Sequence, residues 1–345
     1  WDYAQAPHSI VWAVRNDGII CALTYVREQE VFAWSRHITD GDFKSVASVQ
    51  EGDDDFMYSI VQRRIGTRTR QYIERLHDHD FTNVQDAFFV DSGLKRNNPI
   101  TITGVTSADP VVITAAAHGL SNSDVVDING IYIVDTTENQ GKSLSTEVVG
   151  LGYTVSDKTT NTFELQLNGV DVDGSAFATY HSGGEVRVAT TTVSGLWHLE
   201  GESVVGLANG YVTGTLTVAN GSVTLPNAAS RVSIGLSYAA EVKTLKLDNS
   251  NPLDTVQGKN KKLTRLTLRL EDTMGLWHGP DTDHMREAKF GLPSLYGQPL
   301  NMITADKDVT LSPSWSKNGQ IVIQQRDPLP MTILGIIPDV IIGGN

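Results

Sequence analysis

Between Leu196 and Leu247 the chain reads LWHLEGESVVGLANGYVTGTLTVANGSVTLPNAASRVSIGLSYAAEVKTLKL, with Val, Leu, Thr and Tyr alternating with polar residues. Alternation at period two puts one side of each run on a core and the other in water. That is strand geometry, and no helix-length pattern interrupts it. Asn209-Gly210 and Asn220-Gly221 fall between the runs, where tight hairpins need the positive φ angles that Asn and Gly adopt at low steric cost. The stretch predicts a meander of short antiparallel strands. The chain on both sides continues in the same style, so the expected fold class is all-β.

Residues 9–76 carry the pattern upstream. Ile10–Val14 leads through Asn16-Asp17-Gly18 into Ile19–Val26, and Val31–Trp34, Ser45–Val49, Met57–Arg64 and Thr69–Leu76 follow. Asp-Gly between apolar runs is a strong hairpin signal. Consecutive hairpins with aromatic edges are how a β-propeller blade is written, and this length holds one blade and part of another. A complete propeller needs more blades. The chain also opens on Trp1 without a methionine, so the expectation is a fragment, a processed product or part of something longer. Residues 97–190 read as a separate small β module inserted into the scaffold, and residues 191–345 as a β-meander or sandwich platform that resumes it; residues 1–96 are the blade region.

Composition narrows the functional classes. Hydrophobic residues make up 40% of the chain and charged residues 19%, proportions of a folded protein rather than a disordered one. No run has the length of a membrane-spanning helix, and no basic-then-apolar signal opens the sequence; a soluble chain or part of a soluble assembly is expected. The formal charge is −13, and residues 97–190 hold 3 Lys and Arg against 11 Asp and Glu. Such acidity argues against tight binding along a nucleic-acid backbone, which needs clustered Lys and Arg. The single cysteine, Cys21, sits in the apolar run Ile19–Leu23 and reads as a buried, inert thiol; an intrachain disulfide or a cysteine metal site is excluded.

Two stretches resemble known families. The line VWAVRNDGIICALTYVREQEVFAWSRHIT, followed by a strand ending RQYIERL, resembles the propeller portion of the tail nozzle proteins of short-tailed bacteriophages, also called tail tubular protein B. Trp12, Asp17, Gly18, Leu23, Thr24, Tyr25, Glu28, Gln29, Val31, Trp34 and His37 carry the likeness. The WHLEGESVVGLANG meander, the QGKNKKLTRLTLRL strand and the PLPMTILGIIPDV end extend it. The segment ITGVTSADPVVITAAAHGLSNSDVVDINGI is similar to the small β-barrel module named after the first catalytic cysteine half-domain of ubiquitin-activating enzymes. That segment has no cysteine, so no thioester chemistry comes with it.

The resemblance implies a structural virion protein of the tail and not an enzyme. It implies a homohexameric ring extending the tail tube, in contact with the tail adaptor, the tail fibres and the host outer surface, with genomic DNA passing through the lumen. No cofactor is expected. The remaining candidates are weighed against bland readings. Arg63, Arg64, Arg68, Arg70 and Arg75 form a cationic group that either pairs with nearby acids or contacts a partner, with a solvated or salt-bridged strand face as the bland reading. In Lys261–Leu270, Leu266, Leu268 and Leu270 share one face, while Lys261, Arg265 and Arg269 share the other, predicting a half-buried strand with a cationic outer face.

His77-Asp78-His79-Asp80, and His278, Asp281, Asp283 and His284, hold metal-ligating residue types without the converging geometry a site needs, and no metal is expected. Asp171-Val172-Asp173-Gly174 opens like a calcium loop but lacks the closing Glu, and a β-turn is the better reading. His118 and His181 read as turn supports, and His198, Glu200 and Glu202 as solvated residues near a strand end. Two alternatives stand beside the nozzle. One is a host-receptor or carbohydrate-binding protein using Trp277, Tyr296 and Trp315. The other is a polysaccharide-degrading enzyme with a carboxylate such as Asp281 or Glu287. Ile341-Ile342 predicts a strand that something covers, a neighbouring subunit being one candidate.

Overall fold

The structure is a computed structural model that describes residues 1–134, 141–143, 152–177, 179–248, 255–288, 290, 301–311 and 315–343. The chain is all-β: among these residues the regular elements are strands and a few 3-10 turns, such as Arg27–Gln29 and Val84–Asp86. It divides into two compact units. One takes in Trp1–Gly93, His198–Thr217 and Ile234–Asn345, and the other Leu94–Trp197 and Val218–Ser233.

In the first unit, Asp2–Ala4, Ile10–Val14, Ile20–Val26 and Val31–His37 pair in chain order as a four-stranded antiparallel sheet. Its Asp17-Gly18 turn works as the sequence predicts: Gly18 has φ +79°, and a Cβ there would lie 2.8 Å from the Asp42 carboxylate. Asp42–Glu51, Asp54–Ile65 and Arg68–Arg75 follow as a three-stranded sheet. Alternation turns Ala4, Trp12, Ile20 and Ala22 of the first sheet toward Phe43, Met57 and Val61 of the second, and these residues form one core.

Further along, Lys261–Thr273 is a central strand, flanked on one side by Ile303–Thr310 and Trp315–Ser316 and on the other by Thr332–Ile342. Leu263, Leu266, Leu268 and Leu270 bury against Leu276, Ile321 and Ile323, residues in and beside a four-stranded sheet. That sheet runs Ala240–Lys243, Val322–Gln325, Leu276–Gly279, Arg286–Ala288. Each fully buried Leu or Ile contributes roughly 1.5–3 kcal/mol of transfer free energy, so this cluster is a main source of cohesion in the unit.

The stretch from Leu196 to Leu247 forms strands, with both Asn-Gly turns in place. Asn209 and Gly210 have φ +50° and +83°, and Asn220 and Gly221 +52° and +65°. A simple meander it is not. Ser203–Ala208 pairs with Tyr211–Val212 and Leu216–Thr217, but Ser222–Ala229 pairs back with Thr190–Ser194. Periodicity fixes which side chains face inward, while partner choice is a tertiary matter it does not encode.

The second unit contains a nine-stranded sheet. Its order is Gly104–Val105, Val112–Thr114, Thr162–Leu167, Tyr153–Ser156, Val125–Val134, Thr179–Val188, Ile100–Thr101, with Gly141–Ser143 and Val170–Asp171 attached to Val125–Val134 and Thr162–Leu167. The first and last strands in this order are two halves of one segment, residues 100–105. Ile102 N–H donates to Gly184 C=O at 2.8 Å, and Thr103 N–H to Thr114 C=O at 2.8 Å, so the two ends of the sheet meet on that segment. Gly184 permits the approach, since a Cβ there would meet Ile131 at 2.8 Å. Ile102, Val126, Ile128, Phe163, Leu165 and Val186 are among the side chains that fill the interior.

Candidate functional site

The arginines of the second hairpin do not act together. Arg63 lies on the inner row of its strand with Met57, Ser59 and Val61, and is fully buried. Its guanidinium forks onto Glu74, with Nε to Oε1 at 2.7 Å and Nη2 to Oε2 at 2.6 Å; Nη1 donates to the Asp40 carbonyl at 2.6 Å. Asp91 lies 3.5 Å from Nη2 and accepts a short hydrogen bond from Thr39. Burial pushes the Asp91 carboxyl up, against the Thr39 hydrogen bond and the Arg63 charge. Burial also penalises the Arg63 cation, but Glu74 and Asp91 outweigh it and raise its pKa. As a member of a surface patch, Arg63 is therefore corrected: it is a structural ion-pair centre. Arg64 faces the opposite side of the sheet, and Arg68 and Arg70 are exposed at the hairpin end.

The cationic outer face expected on Lys261–Leu270 is corrected as well. A register shift between Leu263 and Arg265 changes the phase of the alternation, turning Lys261 inward with Leu263. Lys261 is buried, and Nζ donates to the Lys317 carbonyl at 2.9 Å. Arg265 and Arg269 do face outward, where aspartates of the flanking strands meet them. Arg269 holds Asp306 through Nε at 2.9 Å and Nη2 at 3.0 Å; Arg265 Nε meets Asp339 at 2.9 Å, and Nη1 lies 3.6 Å from Asp308. The Arg269 hydrogen bond holds the Asp306 carboxyl below its ordinary value. These side chains are half exposed, so solvent screens each pair, and their main effect is to cancel the positive charge of the strand.

The metal-like motifs resolve into turns. Asp78 Oδ1 accepts the Asp80 N–H at 2.8 Å, while His77 stacks on Phe88 and His79 on Phe89. Asp281 Oδ1 accepts the N–H groups of Asp283 at 3.0 Å and His284 at 2.9 Å, and also meets His284 Nδ1 at 2.7 Å. His278 is buried on the strand that leads into that loop, and no Nδ1 hydrogen bond forms. Asp173 Oδ1 accepts the Ser175 N–H at 2.8 Å, an Asx turn, and the β-turn follows it, with Phe177 N–H on the Gly174 carbonyl at 2.9 Å. His118 Nδ1 accepts the Leu120 N–H at 3.0 Å and so braces its turn; His181 is exposed. Among the described residues no group of three His, Cys, Asp or Glu is placed to hold a metal ion.

His198 and Glu202 differ from the sequence expectation. His198 sits on the 3-10 turn Trp197–Leu199, with Nε2 2.8 Å from the Ser92 carbonyl, and Glu202 accepts the Gly66 N–H at 3.1 Å. Cys21 is half-buried rather than in the core.

Of the glycan-stacking candidates, Trp277 has Arg326 over its ring at 4.9 Å, and Trp315 is exposed beside Gly343. Tyr296 lies outside the described residues. Glu287 stands opposite Trp277 in register. The strand Thr332–Ile342 forms as predicted, with Leu334, Ile337, Ile341 and Ile342 exposed along it.

Sequence reasoning missed a larger feature. Tyr3, Tyr25, Phe32 and Trp34 all lie on the outer face of the first sheet and are exposed. The alternation of Tyr25, Phe32 and Trp34 is the signal for it in the sequence. No model of a known protein family matches the chain, and no curated protein matches it.

Two outcomes follow from this chemistry. Arg63→Met keeps much of the side-chain volume but leaves Glu74 and Asp91 without their cation, and is expected to cost about 3 kcal/mol in a denaturant titration; an unchanged midpoint contradicts the assignment. Burial, then the Arg286 charge, lowers the pKa of His278 from 6.5. The unfolded chain therefore binds more protons below that value, and stability falls as pH drops from 6.5 toward the depressed pKa. His37 and His79 act in the same sense, and Asp91 in the opposite one. Between about pH 7.5 and about pH 5.5, His278→Gln is expected to lose less stability than the wild type. Equal losses in the two proteins contradict it.

Proposed function

We propose that this chain is a structural subunit of a phage tail nozzle, a six-membered ring around a passage through which DNA leaves the particle. The observation that carries the reading is electrostatic. A chain of formal charge −13 has its outward arginines Arg265 and Arg269 matched to Asp339 and Asp306, and Arg63 withdrawn into the interior against Glu74. A wall of that kind repels phosphates at close range and lets DNA slide without being held. The sequence likeness of residues 11–39 supports the same reading, because its residues fall on a sheet of consecutive hairpins with turns, a buried row and an exposed aromatic row rather than a cluster of reactive groups.

A receptor or carbohydrate-binding role is the second reading, favoured by exposed Trp197 and Trp315. Gly221 lies flat against the Trp197 ring, where a Cβ would come within 2.4 Å, so one ring face is backed by protein while the residue remains exposed to solvent. Native mass measurement of the purified chain over rising concentration separates the readings. Six copies per particle, with no retention of duplex DNA at about 150 mM salt, is the expected result. Monomer at every concentration contradicts the ring, and glycan binding lost on Trp197→Ala supports the second reading.

A further inference from the structure

We propose that Arg326 anchors a binding site for a carboxylate-bearing saccharide, on the outer face of the sheet formed by Ala240–Lys243, Val322–Gln325, Leu276–Gly279 and Arg286–Ala288. The inference does not depend on the ring reading above.

The sheet sets the floor of the site. Leu276 and Ile323 are buried in the core, so their neighbours Trp277 and Gln324 point the other way. Register puts Glu241 beside Gln324, Gln324 beside Trp277 and Trp277 beside Glu287, one row across all four strands. Two residues along from Trp277, the chain after Gly279 doubles back over the same face. A Cβ on that glycine would lie 2.3 Å from the His284 carbonyl oxygen, so this loop bounds the row on one side.

Arg326 is held over the row at two points, and the second is itself braced. Its guanidinium lies 4.9 Å from the centre of the Trp277 ring, and its Nε donates to Gln324 Oε1 at 2.8 Å. Gln324 is only 7% exposed, and its Nε2 donates to Glu241 Oε2 at 2.5 Å. Trp277 therefore supports the guanidinium and does not offer that ring face for stacking. Arg63, Arg75, Arg265 and Arg269 each bond a carboxylate. Among the described residues no acid bonds the Nη atoms of Arg326, which is exposed. The result is a guanidinium fork ordered before any ligand arrives.

The chemistry of the row selects the ligand. A planar fork matches a carboxylate through two parallel N–H···O bonds. Glu241 keeps Oε1 as an acceptor nearby, and Glu287 adds a second carboxylate to the row. A simple carboxylate, or the side chain of an acidic peptide, brings no O–H donor to these acceptors and is repelled by them. A neutral sugar brings the donors but no oxyanion for the fork. A sugar acid brings both, its carboxylate to Arg326 and its ring hydroxyls to Glu241. Adjacent strands lie about 4.8 Å apart, so both contacts are within the span of one sugar ring.

Titration of the isotope-labelled chain, followed by NMR at the Trp277 indole N–H, tests this with glucuronate, glucose and acetate as probes. Glucuronate is expected to shift the signal with a Kd on the order of 1 mM, and acetate to bind at least about fivefold more weakly. Glucose is expected to leave the signal unmoved. Arg326→Lys keeps the charge but loses the fork, and is expected to weaken glucuronate binding at least about tenfold. Because Arg326 is exposed, the melting temperature of that variant is expected to stay near wild type. Glu241→Gln keeps an acceptor for Gln324; glucuronate binding is expected to fall while acetate binding holds or rises, and a rise in both overturns the hydroxyl contact.

Glucose that binds as tightly as glucuronate overturns the fork as anchor. Acetate or inorganic phosphate that binds as tightly overturns the saccharide. No shift with any probe, or an Arg326→Lys chain that binds glucuronate like wild type, overturns the site. Each of these results leaves the ring standing.

Discussion

A β-strand leaves a row of N–H and C=O groups on each edge and a row of side chains on each face, and every one of these has to be paired, buried or kept polar. This chain is made of small sheets, so it meets that demand many times over. In the second unit, the segment at 100–105 bonds to both ends of the nine-stranded sheet and supplies the partner each end needs. In the first unit, the edge strand Ile303–Thr310 carries Asp306, Lys307 and Asp308, a charged edge that discourages pairing. Val31–His37 and Thr332–Ile342 are handled otherwise. Their exposed residues include Phe32, Trp34, Leu334, Ile337, Ile341 and Ile342, large apolar side chains left on the surface.

The same economy governs charge. Arg63 and Lys261 sit where the strand pattern demands core, and each is tolerated because its hydrogen-bonding groups are met, Arg63 by Glu74 and Asp40 and Lys261 by the Lys317 carbonyl. Exposed Arg265 and Arg269 lie among Asp306, Asp308 and Asp339 on neighbouring strands. Internal pairing thus takes up Arg63, Arg265 and Arg269, and the chain keeps its excess of acid.

Much of the fold was legible in the sequence. The Asp-Gly and two Asn-Gly turns announced hairpins because only residues tolerant of positive φ fit them, and the strands from Ile10 to Arg75 followed the alternation closely. What failed was any inference that crossed a register shift or needed a distant partner. One extra residue near Thr264 reverses the face of Lys261, and nothing local marks it. Arg63 alternates with Met57 and Val61 and so shares their inner row, yet its residue type put it with the surface arginines, because Glu74 and Asp91, which meet its charge, are brought to it by tertiary packing. The pairing of Ser222–Ala229 with Thr190–Ser194 was hidden for the same reason.

The central claim is that copies of this chain enclose a passage. Electron-microscopic class averages of the assembled protein, viewed down the symmetry axis, test it most directly. The account predicts a six-fold ring with an open centre. Single particles without rotational symmetry, or a three-fold fibre with no axial opening, contradict it.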